Sequence, residues 1–558
     1  MSARSNITLG LLLLLGCSDP QTEPGYDQGV IPGGDGGGAP GPRQVCPGPA
    51  LSPVQGGRCR VLAGKGSALL IRGTLLLPDR TLEGGQLLLA GERILCAACD
   101  CSGSPGHADA TALECPAAVV SPGLINPHDH LGWTRSWPVQ PTARYDHRHE
   151  WRKAKNGKPK VPAWNVDFSD EAMAWGEARQ LLGGATSIMG EGSVAGLLRN
   201  LDWDNEGLGR PSVKNTTFPL GDKEGEMLAS GCGYPALPDP SAVKQAVAWV
   251  PHVAEGVGAE ARNEFLCISG AQGGVDAVLA NTSLIHAVGI TVADARRLAQ
   301  AGSRVIWSPR SNISLYGYTA DVVLLRNLGV TLALGTDWTV TGSMNMLREL
   351  ACADHLNRQH YGGAFTERDL WRMATEGAAR SASMDDLIGT LAPGRFADIT
   401  VFDTSGGADH AAVVRAGVGE VALVLRGGKV LHGDAELVAA LAPSSGQGCE
   451  ALDICGRSKR ICLQRETGWT LADLKARLGQ GETYPLFFCG EPEGEPTCVP
   501  SRPGLYDGQT STSDRDGDGV ADAEDSCPDL FNPPRPLDHD KQPDADGDGV
   551  GDACDPTP

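Results

Sequence analysis

In the stretch SPGLINPHDHLGW, residues 121–133, an apolar run ends on two histidines one residue apart. Strand side chains alternate between faces, so His128 and His130 leave a strand on the same side. Two imidazoles aimed at one point are what a divalent transition metal requires. A polar loop with two solvated histidines is the other reading of the pair alone. Ligand-type residues recur at the same place in later runs: AVAWVPHVAEG reaches His252 with Glu255 three residues on, SLIHAVG ends near His286, and VTLALGTDW ends at Asp337. Any one of these histidines is explained by a satisfied interior imidazole; five ligand-type residues at strand ends are not. Together they describe hydrolytic chemistry. A divalent metal lowers the pKa of bound water to about 7, and a carboxylate within reach takes the proton and hands it on.

These residues need a frame that gathers strand ends. DEAMAWGEARQLLGG (170–184) is an amphipathic helix stopped by glycines, followed by the strand ATSIMG. VKNTTFPLG (213–221), AVAWVPHV, SLIHAVG, RVIWSPRSN and VTLALGTDW alternate with helical segments such as TVADARRLAQAG and DVVLLRNLG. The strand between 192 and 204 is the least defined, because AGLLRNLDW reads equally as helix. Alternation at this pitch implies parallel strands with crossovers. About eight of them favour a (β/α)8 TIM-type barrel over 121–384, with its chemistry at the C-terminal strand ends. The flanks 61–120 and 385–440 carry short strands of similar character. They predict an α/β architecture in which the barrel is inserted in a small β-sandwich built from both sides.

The ordered set PGLINPHDHLG, HVAEG, SLIHAVG…VIWSPRSNISL…LALGTDW and LAPGRFADITVFD, spanning about 67–435, resembles the amidohydrolase superfamily. The likeness is to the cytosine-deaminase and triazine-hydrolase-like branch of these metal-dependent hydrolases. The resemblance implies that His128, His130 and His252 bind a metal as neutral imidazoles and that Asp337 is a fourth ligand or holds the attacking water. It implies that Glu255 shuttles the proton and that His286 hydrogen-bonds the substrate; a solvated acid at a helix start is the plainer reading of Glu255. Binuclear members carry a carboxylated lysine on the fourth strand. Here Lys214 begins that strand and Lys223 follows it, so one metal is expected, zinc by default, with iron or manganese also suited to His/Asp ligands. Trp133, Arg310 and Asn312 are candidate substrate contacts, although SPRSN (308–312) also reads as a turn cap. The long insertion 131–168 holds a second H-x-H, His147 and His149, beside Arg148 and Trp151. With no strand to aim them they are not expected to bind metal; the stretch reads as a site for an acidic or planar substrate or as a salt-bridged helix. The expected reaction is hydrolysis of a C–N bond in a small molecule, by deamination or opening of a cyclic amide or amidine. A dipeptidase- or lactonase-like activity, or a non-catalytic calcium-dependent surface binding protein, are the alternatives.

The ends of the chain point to the cell envelope. MSARSNITLGLLLLLGCSDP combines an arginine with an apolar stretch too short to span a bilayer. LLGC resembles a bacterial lipobox, so residues 1–17 read as an export signal with Cys17 as the lipidated membrane anchor, and the Gly/Pro-rich stretch 18–60 as a tether. Removing Cys17 from 17 cysteines leaves an even number, which in an exported protein predicts disulfides. CAACDC (96–101) with Cys115 as a zinc knuckle is the lesser alternative. Residues 445–505, with Cys449, Cys455, Cys462, Cys489 and Cys498, read as a small disulfide-held module. Of the net charge of −21, about half lies in 511–558, which holds 14 acidic and three basic side chains. No basic stripe exists to bind nucleic acid. That tail repeats D-x-D-x-D-G-x-x-D-x-x-D, at Asp514, Asp516, Asp518, Asp522 and Asp525 and again at Asp544, Asp546, Asp548, Asp552 and Asp555. Aspartates at loop positions one, three and five with glycine at six predict calcium binding, and the two copies resemble thrombospondin type 3 repeats. Without the cation, the acidic run is expected to stay open. The sequence carries no signal for the oligomeric state.

Overall fold

The computed structural model describes residues 42–55, 57–162, 166–442, 447–479 and 482–558. The export signal, Cys17 and most of the 18–60 tether lie outside the described residues. Among the described residues no helix is long and apolar enough to cross a membrane.

Eight parallel strands carry the site: Leu124–Asn126 (β1), Ala185–Ile188 (β2), Arg199–Asn200 (β3), Lys214–Thr216 (β4), Trp249–Val253 (β5), Ser283–His286 (β6), Arg304–Trp307 (β7) and Thr331–Leu334 (β8). All but β4 are almost wholly buried, as parallel strands covered by helices must be. Ile125, Val250, Ile285, Ile306 and Ala333 form one apolar cluster, with Ile285 opposite Ile306 and Ile306 opposite Ala333 in register. The strands form two arcs, β1–β3 and β4–β8, not one closed ladder. Between β8 and β1 the pairing shrinks to a single Asp129–Asp337 bridge, with Asp337 N donating to His128 O at 2.9 Å. Between β3 and β4 it shrinks to Val213 N on Leu201 O at 2.8 Å. The doubtful strand is the weak link: β3 is two residues long, and its side chains turn to Asp398 (from Arg199) and Glu177 (from Asn200).

Four helices matter for the site: Arg148–Lys153 (α1), Asp170–Leu182 (α2), Pro309–Tyr316 (α3) and Met346–Gln359 (α4). α2 starts where Ser169 accepts from Ala172 N, carries Asp170 and Glu171 in its first turn, and stops at Gly183.

The flanking strands hydrogen-bond as one eleven-stranded sheet where a small sandwich was expected. Its backbone is the 12-residue strand Thr111–Pro122. That strand is long enough to pair with Arg60–Leu62 along one stretch, with Leu69–Leu76 along most of its length, and with Ile399–Asp403 at its end. The last pairing joins the two flanks of the barrel. The cysteine-rich segment is not separate from this sheet: Arg457–Ile461 and Glu450–Ile454 extend it beyond Lys429–Asp434. Among the described residues all 16 cysteines pair. CAACDC is used in disulfides, Cys46–Cys99 and Cys96–Cys101, not as a zinc knuckle. Cys352–Cys498 ties the segment to α4 across 146 residues. By loop-closure entropy such a crosslink contributes about 4–5 kcal/mol.

Candidate metal centre

The strand ends place four donors around one point. His128 and His130 follow β1, His252 lies in β5, and Asp337 follows β8. His252 Nε2 lies 3.4 Å from His130 Nε2, and Asp337 Oδ1 lies 3.4 Å from His130 Nε2 and 3.5 Å from His128 Nε2. Tetrahedral ligands at zinc bond lengths of about 2.0–2.1 Å stand about 3.3–3.4 Å apart, so this donor set fits one divalent ion. His128 Nε2 is buried and has no hydrogen-bond partner, a costly arrangement unless that lone pair has a metal to bind. Asp129, between the two histidines, faces the other way and accepts from Asn126 and Gln180 at 3.0 and 2.8 Å.

Three of the four donors are aimed by a second contact, while the Nδ1 of His252 is buried without a hydrogen-bond partner. His128 Nδ1 bonds Ser308 Oγ at 2.8 Å, His130 Nδ1 donates to Glu191 Oε2 at 3.0 Å, and Ser311 Oγ donates to Asp337 Oδ2 at 2.6 Å. Such partners fix the tautomer that leaves Nε2 free for metal. Burial, and then the neighbouring imidazoles, hold the pKa of His128 and of His252 well below the usual histidine range, so both are neutral ligands. Burial opposes a charge on His130 too, but Glu191 outweighs it and pushes the group up to about 9; a cation binding there must displace that proton. Glu191, Ala254, His286, Ala287 and Asp337 all adopt positive φ without being glycine. Left-handed backbone at strand ends β2, β5, β6 and β8 costs free energy that only a demanding site repays.

Beside the donors stands a proton-transfer pair. Glu255 Oε2 lies 3.6 Å from His286 Nε2, and Glu255 Oε1 accepts from Tyr316 OH at 2.6 Å. His286 Nδ1 donates to Asn312 Oδ1 at 2.9 Å, which presents Nε2 to the cavity. Burial raises the Glu255 carboxyl against the pull of the Arg148 guanidinium, and lowers His286 to about 4. These groups open into a cavity of about 560 Å³ walled by Trp133, Trp151, Phe168, Phe218 and Trp338.

Residues 252–431 match the family model described as "Amidohydrolase family". A 5-methylthioadenosine/S-adenosylhomocysteine deaminase from Desulforudis audaxviator is 26% identical over 379 residues, 60% of this chain and 84% of that protein. A 5'-deoxyadenosine deaminase from Methanothermobacter thermautotrophicus is 24% identical, covering 60% and 85%. An 8-oxoguanine deaminase from Pseudomonas aeruginosa is 34% identical over a shorter stretch, 22% and 27%. The solved atrazine chlorohydrolase TrzN from Arthrobacter aurescens TC1, complexed with zinc, has a TM-score of 0.46 at 21% identity, covering 65% of this chain and 95% of that one. The family-model match and the deaminase relatives support the amidohydrolase superfamily for this part of the chain. Its relatives hydrolyse C–N bonds, as the deaminase names state.

Within the matched segment two expected substrate contacts are corrected. Arg310 does not reach the cavity: it is 4% exposed, its Nε donates to Ser343 Oγ at 2.6 Å, and its Nη1 meets Glu495 at 3.2 Å and the Pro496 carbonyl. The cysteine-rich segment claims it, and that contact spans 186 residues, beyond any local reading. Asn312 is fully buried behind His286, which it orients, donating in turn to Thr319 Oγ1 at 3.1 Å. Trp133 does line the cavity, edge-on to Trp338 with ring centroids 5.3 Å apart. Lys214 and Lys223 stay away from the donors, Lys223 at the cavity rim. The second H-x-H is a salt-bridged helix start: His147 pairs with Glu264 at 3.1 Å, His149 with Asp222 at 2.8 Å, and Arg148 with both carboxylates. Arg148 also donates to the His252 carbonyl at 3.3 Å, so the insertion buttresses β5. Gly256 makes that docking possible, because a Cβ there would stand 2.2 Å from the Asp146 carbonyl oxygen.

Ser308, Ser311, Glu191 and Tyr316 were missed. The serines were within sight, since Ser308, Ser311 and Asn312 all sit in SPRSN. Glu191, in the segment GEG after β2, obeys the strand-end rule that found the histidines. Tyr316 had no local signal.

Proposed function

We propose that this protein is an exported, metal-dependent hydrolase that removes an amino group from a planar heterocycle. The observation that carries the reading is the convergence of His128, His130, His252 and Asp337 on one point with Glu255 alongside. A single divalent ion, zinc by preference, would be held by these four side chains and would supply Lewis-acid activation of water. The aromatic walls bind the ring by its faces. Glu255 takes the proton of the attacking water and delivers it to the departing nitrogen as the C–O bond forms and the C–N bond breaks. His286, neutral and held by Asn312, presents Nε2 to the ring atom beside the reacting carbon. Arg152, over Phe218 at 4.1 Å, with Lys160 and Lys223 at the cavity mouth, favours a substrate with an anionic or electron-rich substituent. The deaminase names of the relatives agree with this class.

The same reading places the protein in the envelope, anchored through Cys17. It is supported by LLGC at 14–17 and by the eight disulfides, which persist in oxidising compartments. We also assign calcium to the two aspartate loops, whose first, third and fifth carboxylates cluster at 514–518 and 544–548.

Metal analysis with a substrate panel scored for ammonia release tests the enzyme. About one zinc per chain is expected. His252→Ala should lose the metal and slow turnover about 1,000-fold or more, the several kcal/mol that a Lewis acid supplies. A folded protein that takes up no transition metal would sink the reading.

A further inference from the structure

The acid/base carboxylate is gripped from behind by the C-terminal tail. Tyr316, fully buried at the end of α3, donates to Glu255 Oε1 at 2.6 Å and accepts from Trp151 Nε1 at 2.9 Å. That hydroxyl is the only one described as bonded to Glu255, so the place of Tyr316 sets the place of the carboxylate. Two hydrogen bonds from this segment hold the same turn. Arg502 Nη1 donates to the Tyr316 carbonyl at 2.7 Å and to the Tyr145 carbonyl at 3.2 Å, while Nη2 pairs with Asp146. Tyr506 OH donates to the Gly317 carbonyl at 3.2 Å. Gly317 caps α3 at φ 68°, and a Cβ there would stand 2.1 Å from the Ser501 carbonyl oxygen. The tail could not lie on α3 if any other residue stood there. Further along, Leu537 N donates to Val257 O at 3.2 Å, two residues past Glu255.

The Asp146 carbonyl accepts from Val257 N and Gly258 N at 2.9 and 3.2 Å. Arg502 therefore touches both walls of the Glu255 loop: the insertion through Tyr145 and Asp146, and α3 through Tyr316. We propose that Tyr316 and Arg502 are positioning residues for proton transfer, and that the segment 499–508 belongs to the active site as its rear wall. This deepens the hydrolase reading and rests on it. Neither residue touches the donor set or lines the cavity; Tyr316 meets the cavity wall only from behind, through Trp151 Nε1, so its main effect falls on Glu255 and not on metal or substrate binding.

The test separates positioning from mere stability. In Tyr316→Phe, kcat should fall about 100-fold, the cost of a misplaced group, with KM within about twofold, because ground-state binding is untouched. Metal content and melting temperature should stay close to those of the parent protein. Arg502→Met should lower kcat in the same way but less, and Arg502→Lys should recover part of it, since an ammonium can still reach one carbonyl. Hydrogen exchange gives a readout free of turnover: in Arg502→Met, amides 313–318 and 145–148 should exchange faster while those of β5 and β6 do not. The proposal is overturned if Tyr316→Phe keeps kcat within about twofold. It is equally overturned if kcat, metal content and melting temperature fall together while KM rises, or if exchange at 313–318 ignores Arg502. A parent protein that releases ammonia from no substrate fails the hydrolase reading instead, and the exchange result still decides whether the tail holds α3.

Discussion

At the barrel mouth three of the four metal-facing side chains are fixed by a residue from another element: His128 by Ser308, His130 by Glu191, Asp337 by Ser311. In the tail the carboxylates are fixed by their own loop. Gly517 N and Gly519 N donate to Asp514 at 2.7 and 3.1 Å, Asp518 N to Asp516 at 3.2 Å, and Val520 N to Asp518 at 2.8 Å. The second loop repeats the pattern at Asp544, Asp546 and Asp548. The first site is pre-formed by the whole fold and the second by twelve residues of sequence. A donor set built from distant elements keeps its shape without the ion, because packing holds it. A loop of like charges leans on its backbone amides, on a few neighbours such as Gln542, which donates to Asp518 and Asp525 at 3.0 and 2.7 Å, and on any cation it binds.

The strongest way to sharpen this contrast is to remove function from the barrel while leaving its shape. Glu255→Gln keeps the volume and the contact to Tyr316 but cannot carry a proton. We expect kcat to fall about 10²–10⁴-fold, the usual contribution of a positioned acid–base group, with metal content unchanged. Loss of metal in this variant would mean that Glu255 is a ligand, and would redraw the donor set. A smaller effect is expected where only the aiming contact is removed. Glu191→Gln should weaken metal affinity about 10–100-fold, read by chelator competition. It should also lower the pH at which metal is taken up, because the charge that raises His130 to about 9 is gone. Unchanged affinity would show that His130 is placed by packing alone.

Much of the first region was readable because strand ends have a rule: apolar run, then ligand. It found His128, His130, His252, His286 and Asp337, and it also covers Glu191. The clustering of the loop carboxylates was readable because they are neighbours in sequence. What the sequence hid are contacts made across the chain. Arg310 looked like a substrate contact because it follows β7, yet Glu495, far along the chain, draws it away. Asn312 was placed at the right strand and one layer too shallow. The cysteine-rich strands show no pattern of their own, because they complete a sheet begun near residue 43. The open seam between β3 and β4 follows from β3, whose two residues cannot carry a ladder.

The two aspartate loops themselves differ in burial, and this yields the finest test. Asp516 and Asp518 are 1% and 0% exposed, with the Asp516 carbonyl accepting from His360 Nδ1 on the barrel at 2.7 Å, whereas Asp546 and Asp548 face solvent. Burial, and then the charges of Asp518 and Asp525, push Asp516 up to about 8 when no cation is present. In an unfolded chain an aspartate titrates near about 3.9. The folded value is the higher one, so the fold binds the proton more tightly, and stability from this group is complete below about pH 4 and lost as the pH rises towards about 8. Cation-free protein should therefore show increasing intrinsic looseness in 511–530 between about pH 5 and 8, measured by hydrogen exchange corrected for the intrinsic pH effect. Calcium should abolish the trend, and the barrel amides should not follow it. Asp516→Asn should remove the upper part of the pH dependence and leave the part due to Asp518, which burial raises to about 6, and it should weaken calcium binding, whereas Asp546→Asn, in the exposed loop, should weaken binding without altering the pH profile of 511–530. Equal protection at both pH values without calcium would mean that the first loop is held by its docking against His360, as the donors of the barrel are held, and the contrast between the two regions would then reduce to one of charge.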